Sequence, residues 1–229
     1  MTTGQVASIV DGRSFRLGDG REVRLAAVEV PSDDESARAA QAAMAALLAA
    51  QTVTLRTAAP APDRYGRILA YVFTKGELVR SVAHEMLAQG HARVSAQTGE
   101  PACTAELLRE EGVARSAGLG LWSDPRYAIM DAGNLAGLLA GRGRFAVVEG
   151  KVASVRPSGG TIYVNFGRRW SQALTVTISK RQERMFASAG LALKGLVNRR
   201  LRVRGWIEIR NGPRIEASRP EQIEMAGLN

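Results

Sequence analysis

The sequence predicts a mainly β protein with peripheral helices, built as two five-stranded barrels in tandem. Apolar and alternating runs of strand length occur throughout the 229 residues, and segments of helical period interrupt them in the first half. The charge also changes along the chain. Residues 1–140 carry 14 Lys and Arg against 16 Asp and Glu, a net −2, whereas residues 141–229 carry 17 against 6, a net +11. This asymmetry indicates two domains, the second with a polyanionic partner.

The first domain is expected over residues 1–127 and opens with a hairpin. Its strands, at 5–17 and 21–30, are joined by a Gly-Asp-Gly turn. Ser32 and Glu35 have the spacing of a capping box, so a helix is expected to begin there. Two further strands and two further helices are predicted at residues 52–57, 67–73, 77–90 and 101–117.

A glycine-rich linker with at most one helical turn is expected over 128–143, and a basic domain over 144–229. Five strands are predicted in this domain, at 145–155, 161–166, 173–179, 200–209 and 213–217. A helical stretch at 180–190 lies between the third and fourth strands, which is the element order of an OB-fold. An Asn-Gly pair, a strong hairpin signal, joins the last two strands.

Composition excludes several classes of site. The single cysteine, Cys103, allows no intramolecular disulfide, and with only two histidines it cannot form a zinc cluster. The most apolar run, residues 39–50, is too short to cross a bilayer, so no membrane span is expected. No signal peptide is visible. A periplasmic or secreted location is expected if a leader has been removed, and a cytoplasmic one otherwise.

The basic domain carries guanidinium groups beside aromatic rings, the combination that single-stranded nucleic acid needs for phosphates and bases. Strand alternation turns every second residue of 200–209 outward, and Tyr163 lies on the outer face of its strand. A loop with two arginines and a tryptophan follows that strand. A solvated polar face, with rings packed under arginine stems, is the alternative. The candidate binding residues are Tyr163, Arg168, Arg169, Trp170, Arg200, Arg202, Arg204 and Trp206.

The first domain contains no Ser/His/Asp or Cys/His arrangement. It does contain Asp11, Arg24, Glu29 and the segment 63–67, "DRYGR". Carboxylates hold hard cations, and guanidinium groups stabilise charge that grows on phosphate oxygens. These residues are therefore candidates for phosphodiester chemistry.

Five motifs occur in the order seen in staphylococcal-nuclease-like (thermonuclease) proteins. They are "VDGRSF", "VRLAAVEVP", "DRYGRILAYV", "GELVRSVAHEMLAQGHARV" and "EEGVARSAGLGLW". Residues 4–123 thus resemble this family, whose nuclease domain is an OB-type barrel with helices. "VNFG" and "VRGWIEIRNGP" are similar to the OB-type nucleic-acid-binding domain that follows it in some bacterial members.

The resemblance implies calcium-dependent phosphodiester hydrolysis. Arg24 and Arg67 match its two phosphate-binding arginines, and Tyr65 matches the tyrosine near the substrate phosphate. Glu29 matches a calcium carboxylate, and Asp11 opens the motif that supplies calcium ligands.

Two positions depart from the family pattern. Arg13 stands where the "DGDT" motif places a calcium-binding aspartate, and Ser32 stands where the family carries the glutamate proposed to activate water. A fixed cation about 4 Å from a dication costs several kcal/mol at an effective dielectric of ~20. We therefore expect lost calcium binding and an Arg13–Glu29 ion pair, with Arg24 and Arg67 either forming a phosphate cradle or making ordinary ion pairs.

The sequence thus predicts a protein that binds nucleic acid, DNA or RNA and single-stranded by preference, with no cofactor and an impaired nuclease-like domain. An active nuclease is the first alternative, using altered metal ligation or an acid from residues 33–35, with calcium as the implied cofactor. A scaffold that binds protein or acidic glycan is the second, because the OB-fold also binds those.

Overall fold

The computed structural model describes residues 1–31, 34–75, 79–97 and 100–227. The chain divides into two compact units, Met1–Pro125 and Arg126–Asn229. The boundary between the two units falls within a short 3-10 helix, Pro125–Tyr127.

In its described residues, the first unit contains seven strands and three α-helices. Its strands are β1 (Thr2–Asp11), β2 (Ser14–Leu17), β3 (Glu22–Leu25), β4 (Val28–Glu29), β5 (Thr52–Thr57), β6 (Ile68–Thr74) and β7 (Arg93–Val94). Its helices are α1 (Asp34–Leu48), α2 (Val82–Ala88) and α3 (Pro101–Ser116), with a 3-10 helix at Gly120–Ser123.

Five of these strands form a closed barrel in the order β1-β2-β3-β6-β5, because β1 pairs with both β2 and β5. The β3–β6 pair is parallel and the other pairs are antiparallel. Strands β4 and β7 form a separate antiparallel pair. Apolar side chains from the barrel, α1 and α2 share one buried core, in which Phe15, Met44 and Leu87 are fully buried. The predicted mainly β fold with a five-stranded barrel is confirmed for this unit.

The expected first strand, residues 5–17, is divided by a tight turn. Oδ1 of Asp11 accepts the backbone N–H of Arg13 at 2.8 Å, an Asx turn that ends β1. A Cβ on Gly12 would lie 2.7 Å from the Cβ of Ala40. The turn therefore needs glycine here because α1 packs directly over it.

The predicted starts of two helices, at residues 32 and 77, lie at residues that the structure does not describe. The helix expected from residue 77 begins at Val82, because Ser81 forms an isolated β-bridge with Phe73. The capping box predicted from Ser32 lies outside the described residues, and so does the start of the helix predicted at Glu77.

Over residues 126–227, the second unit contains nine strands and two α-helices. Its strands are β8 (Met130–Asp131), β9 (Phe145–Lys151), β10 (Ser154–Ser158), β11 (Thr161–Asn165), β12 (Thr175–Ser179), β13 (Arg200–Trp206), β14 (Glu208–Ile209), β15 (Pro213–Glu216) and β16 (Ile223–Met225). Its helices are α4 (Leu135–Ala140) and α5 (Glu183–Ser188), with 3-10 helices at Lys180–Gln182, Leu193–Leu196 and Pro220–Gln222.

The strands of this unit form two sheets, β10-β11-β12-β15-β14 and β16-β13-β9-β8. A second closed barrel is therefore not shown. The sheets are linked through the chain, since β9 runs into β10 and β13 into β14 after one or two residues. Strands β9 and β13 pair over their whole length, and β12 pairs in parallel with β15. Apolar residues from both sheets and α5 form one core.

The segment 128–143, predicted as a linker, contributes regular structure to the second unit. Strand β8 pairs in parallel with β9, and Asn134 caps α4 by accepting the N–H of Gly137 at 3.0 Å. Leu138 of this helix is fully buried. A Cβ on Gly141 would lie 2.9 Å from Cδ1 of Ile207, so this glycine permits a close approach to the residue between β13 and β14. Within the part of the chain that the structure describes, no helix is long and apolar enough to cross a membrane.

Candidate functional site

Arg13 fills the position where the resemblance implies a metal ligand. The Asx turn after β1 directs its side chain inward, and the residue is only 9% exposed. Its Nη1 lies 2.5 Å from Oε2 of Glu29 and donates to the carbonyl oxygen of Val28 at 2.7 Å. The expected Arg13–Glu29 ion pair is thereby confirmed.

Glu29 lies in a buried environment that contains more than one cation. Burial raises the pKa of its carboxyl, and the guanidinium groups of Arg13 and then Arg93 oppose that rise. Arg93 is the residue opposite Glu29 in the β4–β7 pair.

A calcium ion needs six to eight oxygen ligands. Arg13 instead contributes a fixed positive charge in contact with Glu29. Over the described ranges, no group of three or more His, Cys, Asp or Glu side chains has metal-binding geometry. The described side chain in contact with Glu29 is therefore a cation and not a further oxygen ligand.

Arg24 lies beside this pair on the barrel. In the strand register it is opposite Ser14 on one side and Leu69 on the other. Its side chain is half-buried, and no hydrogen bond or ion pair joins it to another described residue. Arg67 directly precedes β6, which pairs with β3, so the register places both arginines at one edge of the barrel.

Arg67 is held by a carboxylate of its own loop. Its Nε donates to Oδ2 of Asp63 at 2.8 Å, and its Nη2 lies 2.7 Å from the same oxygen. Burial raises the pKa of Asp63, but hydrogen bonds from Arg67 and two backbone amides outweigh this and lower it below its usual value. The ordinary ion pairing considered from the sequence is therefore present for Arg67.

Tyr65, in the same loop, is 66% exposed. The guanidinium carbons of Arg64 and Arg67 lie 4.8 and 4.9 Å from its ring centroid. Such cation–π contacts occupy ring surface that a base would need for stacking. Ser32 and Asp33 lie outside the described residues, and so does the side chain of Asp34, so their predicted roles remain predictions.

The second unit presents a polar groove on the outer face of its five-stranded sheet. The register sets Tyr163 between Arg156 and Thr177, and it sets Asn165 between Ser154 and Thr175. The groove encloses about 460 Å³. It is lined by Arg156, Ser158, Tyr163, Asn165, Trp170, Thr175, Thr177, Arg210, Asn211, Gly212, Pro213 and Arg214.

The groove combines aromatic walls with a fixed polar floor. Trp170, in the loop after β11, is 55% exposed although it lines the groove. On the floor, Nδ2 of Asn165 donates to Oγ of Ser154 at 3.1 Å. Oγ1 of Thr175 donates to Oδ1 of Asn165 at 3.1 Å. These bonds fix the amide and leave it capacity for one more donated and one more accepted bond.

The cations around the groove differ in how they are neutralised. Arg156 is exposed and has no side-chain partner among the described residues. Arg214 donates to Oε2 of Glu208 at 2.8 Å, and Arg210 lies 3.9 Å from the same carboxylate. Arg168 and Arg169, beside Trp170, are exposed and likewise have no side-chain partner within the described ranges.

The basic stripe predicted on residues 200–206 lies on the other sheet and is largely neutralised. Nε of Arg200 and Nη2 of Arg202 each lie 2.7 Å from Glu149. Burial raises the pKa of Glu149, but these two arginines outweigh it and lower the pKa below its usual value.

The prediction that Arg204 faces solvent is wrong. The residue is fully buried, and its Nη2 lies 2.5 Å from Glu224. Strand β16 pairs with β13 and brings Glu224 to it, which no local alternation pattern reveals. Trp206 is 41% exposed and packs edge-on against Phe145 at a centroid distance of 6.0 Å.

Several groove residues were not among the sequence-based candidates, namely Arg156, Thr177, Arg210 and Arg214. Alternation within β10 and β15 shows which of their residues share a face. It does not show that β15 pairs with β12, which brings Arg214 beside Thr175.

The geometry of the first unit defines a class of protein. A closed barrel in the strand order β1-β2-β3-β6-β5, with a parallel β3–β6 pair and helices outside it, is an OB-type barrel. Residues 22–124 match the family model described as "Staphylococcal nuclease homologue". The first unit is thus similar to staphylococcal nuclease, as the resemblance implies. No curated protein matches the chain.

Proposed function

We propose that this protein binds single-stranded nucleic acid through the groove of its second unit. The observation that carries the proposal is the placement of Trp170 and Tyr163 in one groove with the unneutralised cation Arg156. Exposed ring faces stack bases, and guanidinium groups hold phosphates without reading sequence. The proposed binding surface contains only some of the cations that give residues 141–229 their net charge of +11, because the arginines of β13 lie outside the groove and are bonded to carboxylates.

The strand pairing supports an OB-type assignment for the second unit. If β9–β10 and β13–β14 are each counted as one bent strand, the pairing order equals that of the barrel in the first unit. In OB-folds the sheet face that includes the second and third strands binds oligonucleotides. Here those strands are β11 and β12, which carry Tyr163 and Thr177.

We further propose that the first unit has no calcium-dependent phosphodiesterase activity. Arg13 places a guanidinium against Glu29, so a dication at this carboxylate would meet a fixed like charge. Arg24 has no partner among the described residues and supports a remaining role in contacting phosphate. Metal-free anion binding is therefore the function that this edge of the barrel supports best.

A binding titration with two tryptophan variants tests the groove. We expect Trp170→Ala to weaken binding of a labelled single-stranded oligonucleotide about tenfold, because stacking is worth ~1–3 kcal/mol per base. Trp206→Ala is the matched control, since it removes an exposed tryptophan from the other sheet. Equal losses for both variants, or no binding at low salt, would contradict the proposal.

A cleavage assay tests the first unit. Labelled single-stranded DNA and RNA are incubated with the protein alone and with calcium, magnesium or manganese in turn. We expect intact oligonucleotide in every lane. Metal-dependent cleavage that Arg24→Ala abolishes would show an active nuclease instead.

A further inference from the structure

A smaller concavity continues the groove along the same sheet face. It encloses about 180 Å³ and shares Tyr163, Thr177 and Arg214 with the larger one. Its other lining residues are Gly160, Thr161, Ile178, Ser179 and Glu216. The two concavities therefore form adjacent parts of one path, with Tyr163 between them.

Glu216 is a carboxylate without a neutralising partner on this path. It is exposed on β15, opposite Thr177, and its side chain makes no hydrogen bond or ion pair with another described residue. Arg214, the cation that lines the same concavity, is bonded to Glu208 instead. A free carboxylate repels phosphate, so the backbone of a bound strand favours the side of Arg156 and Arg210.

The chemistry of the smaller concavity suits a base rather than a phosphate. An ionised carboxylate has two acceptor oxygens and no donor, so it recognises groups that present N–H bonds. The Watson–Crick edge of guanine carries two adjacent donors, the N1 imino and N2 amino groups. Adenine and cytosine present one amino donor beside an acceptor, and thymine and uracil present one imino donor between two carbonyls.

Resting on the proposed function of the groove, we infer that the smaller concavity is a base subsite that selects guanine through Glu216. The two carboxylate oxygens accept from N1–H and N2–H as a bidentate pair. The hydroxyls of Thr161 and Ser179, which line the same concavity, can donate to the O6 carbonyl oxygen. Tyr163 offers its ring to the base from the boundary with the larger concavity.

Three oligothymidylate probes, which differ at one central position, test the inference on the unmodified protein. The central base is guanine, hypoxanthine or thymine, and hypoxanthine differs from guanine only in lacking the 2-amino group. By fluorescence anisotropy we expect guanine to bind about tenfold more tightly than thymine, within the range for a bidentate contact to a base, with hypoxanthine between them.

Glu216→Gln tests the residue, and Glu183→Gln on α5 is the matched control for loss of one negative charge. We expect Glu216→Gln to reduce the guanine preference to about twofold or less. For the thymine probe, the slope of log affinity against log salt concentration should equal that of the parent protein, because the substitution removes no phosphate contact. The control should keep the full preference.

The outcomes separate this inference from the function on which it rests. Equal affinity for the three probes overturns guanine selection and leaves single-strand binding intact. A guanine preference that survives Glu216→Gln overturns the assignment to this residue. If the protein binds none of the three probes, the proposed function itself is overturned.

Discussion

The arginines of the two units are used in different ways. In the first unit Arg13 and Arg67 are each bonded to a carboxylate of the same unit, at 2.5 and 2.7 Å, whereas Arg24 has no partner among the described residues. In the second unit the β13 arginines are similarly neutralised, but Arg156 and the two arginines beside Trp170 have no partner among the described residues. The pairing of each cation, more than the count of cations, therefore separates arginines that are available to contact phosphate from arginines that are already engaged.

The largest effect is expected from breaking the Arg13–Glu29 pair. Arg13→Met leaves a buried carboxylate beside an apolar side chain, and we expect a loss of about 3–5 kcal/mol in the free energy of unfolding at neutral pH. Urea unfolding measures it. Arg13→Met combined with Glu29→Gln should recover at least half of the loss, because no unpaired charge then remains at residue 29.

The same variant has a defined pH dependence. A carboxyl whose pKa is raised in the folded state keeps its proton there to a higher pH than in the unfolded chain. The cost of ionising Glu29 in the folded protein is therefore absent below the usual pKa of 4.5 and grows as the pH rises through the folded pKa. The deficit of Arg13→Met should therefore shrink towards acid pH. A loss that is small and independent of pH would show that this pair does not hold the first unit together.

In the second unit Glu149→Gln should have an intermediate effect. Glu149 bonds two arginines and is mostly buried, so we expect a loss of about 1–2 kcal/mol at pH 7. Its folded pKa is lowered, so the stabilisation is present above the usual value of 4.5 and disappears as the pH falls through the folded pKa. If Glu149→Gln lowers the free energy of unfolding equally at neutral and acid pH, the stabilisation does not come from the ionised carboxylate.

Comparing Arg156→Ala with Arg200→Ala sharpens the distinction between unpaired and paired cations. Arg156→Ala should weaken oligonucleotide binding a few-fold and lower the slope of log affinity against log salt by about 0.7, the value for one single-strand phosphate contact. Arg200→Ala should leave both quantities unchanged, because that arginine is already bonded to Glu149. Equal effects would show that pairing within the protein does not decide which arginines bind.

Only a small effect on single-strand affinity is expected for Arg24→Ala. We place affinity in the second unit, so loss of one cation from the first should change binding less than about twofold. The matched comparison is Arg67→Ala, which removes a paired cation from the same barrel edge. A larger loss for Arg24→Ala than for Arg156→Ala would reverse the roles assigned to the two units.

Much of the fold followed from local pattern. The mainly β class, the barrel of the first unit and the positions of most strands were predictable, because alternation and turn residues act over a few neighbouring positions. Residues 5–17 show the limit. Asp11 and Gly12 indicated a turn from the sequence. That the turn splits the predicted strand into β1 and β2 depends on α1, which packs Ala40 against Gly12.

The site was predictable only in part. The Arg13–Glu29 pair followed from charge and the family resemblance. The burial of Arg204 did not, because it depends on strand β16, which lies about twenty residues further along the chain.

The sequence by itself determined the element types, the charge asymmetry and the presence of an arginine directly after the Asp11-Gly12 turn, since these depend on residue identity and short-range spacing. The tertiary structure alone decided which cations are neutralised and which face forms the groove. Both depend on the register of strands distant in the chain, such as β12 with β15. That register sets Glu216 opposite Thr177, and a two-residue periodicity within either strand contains no information about it.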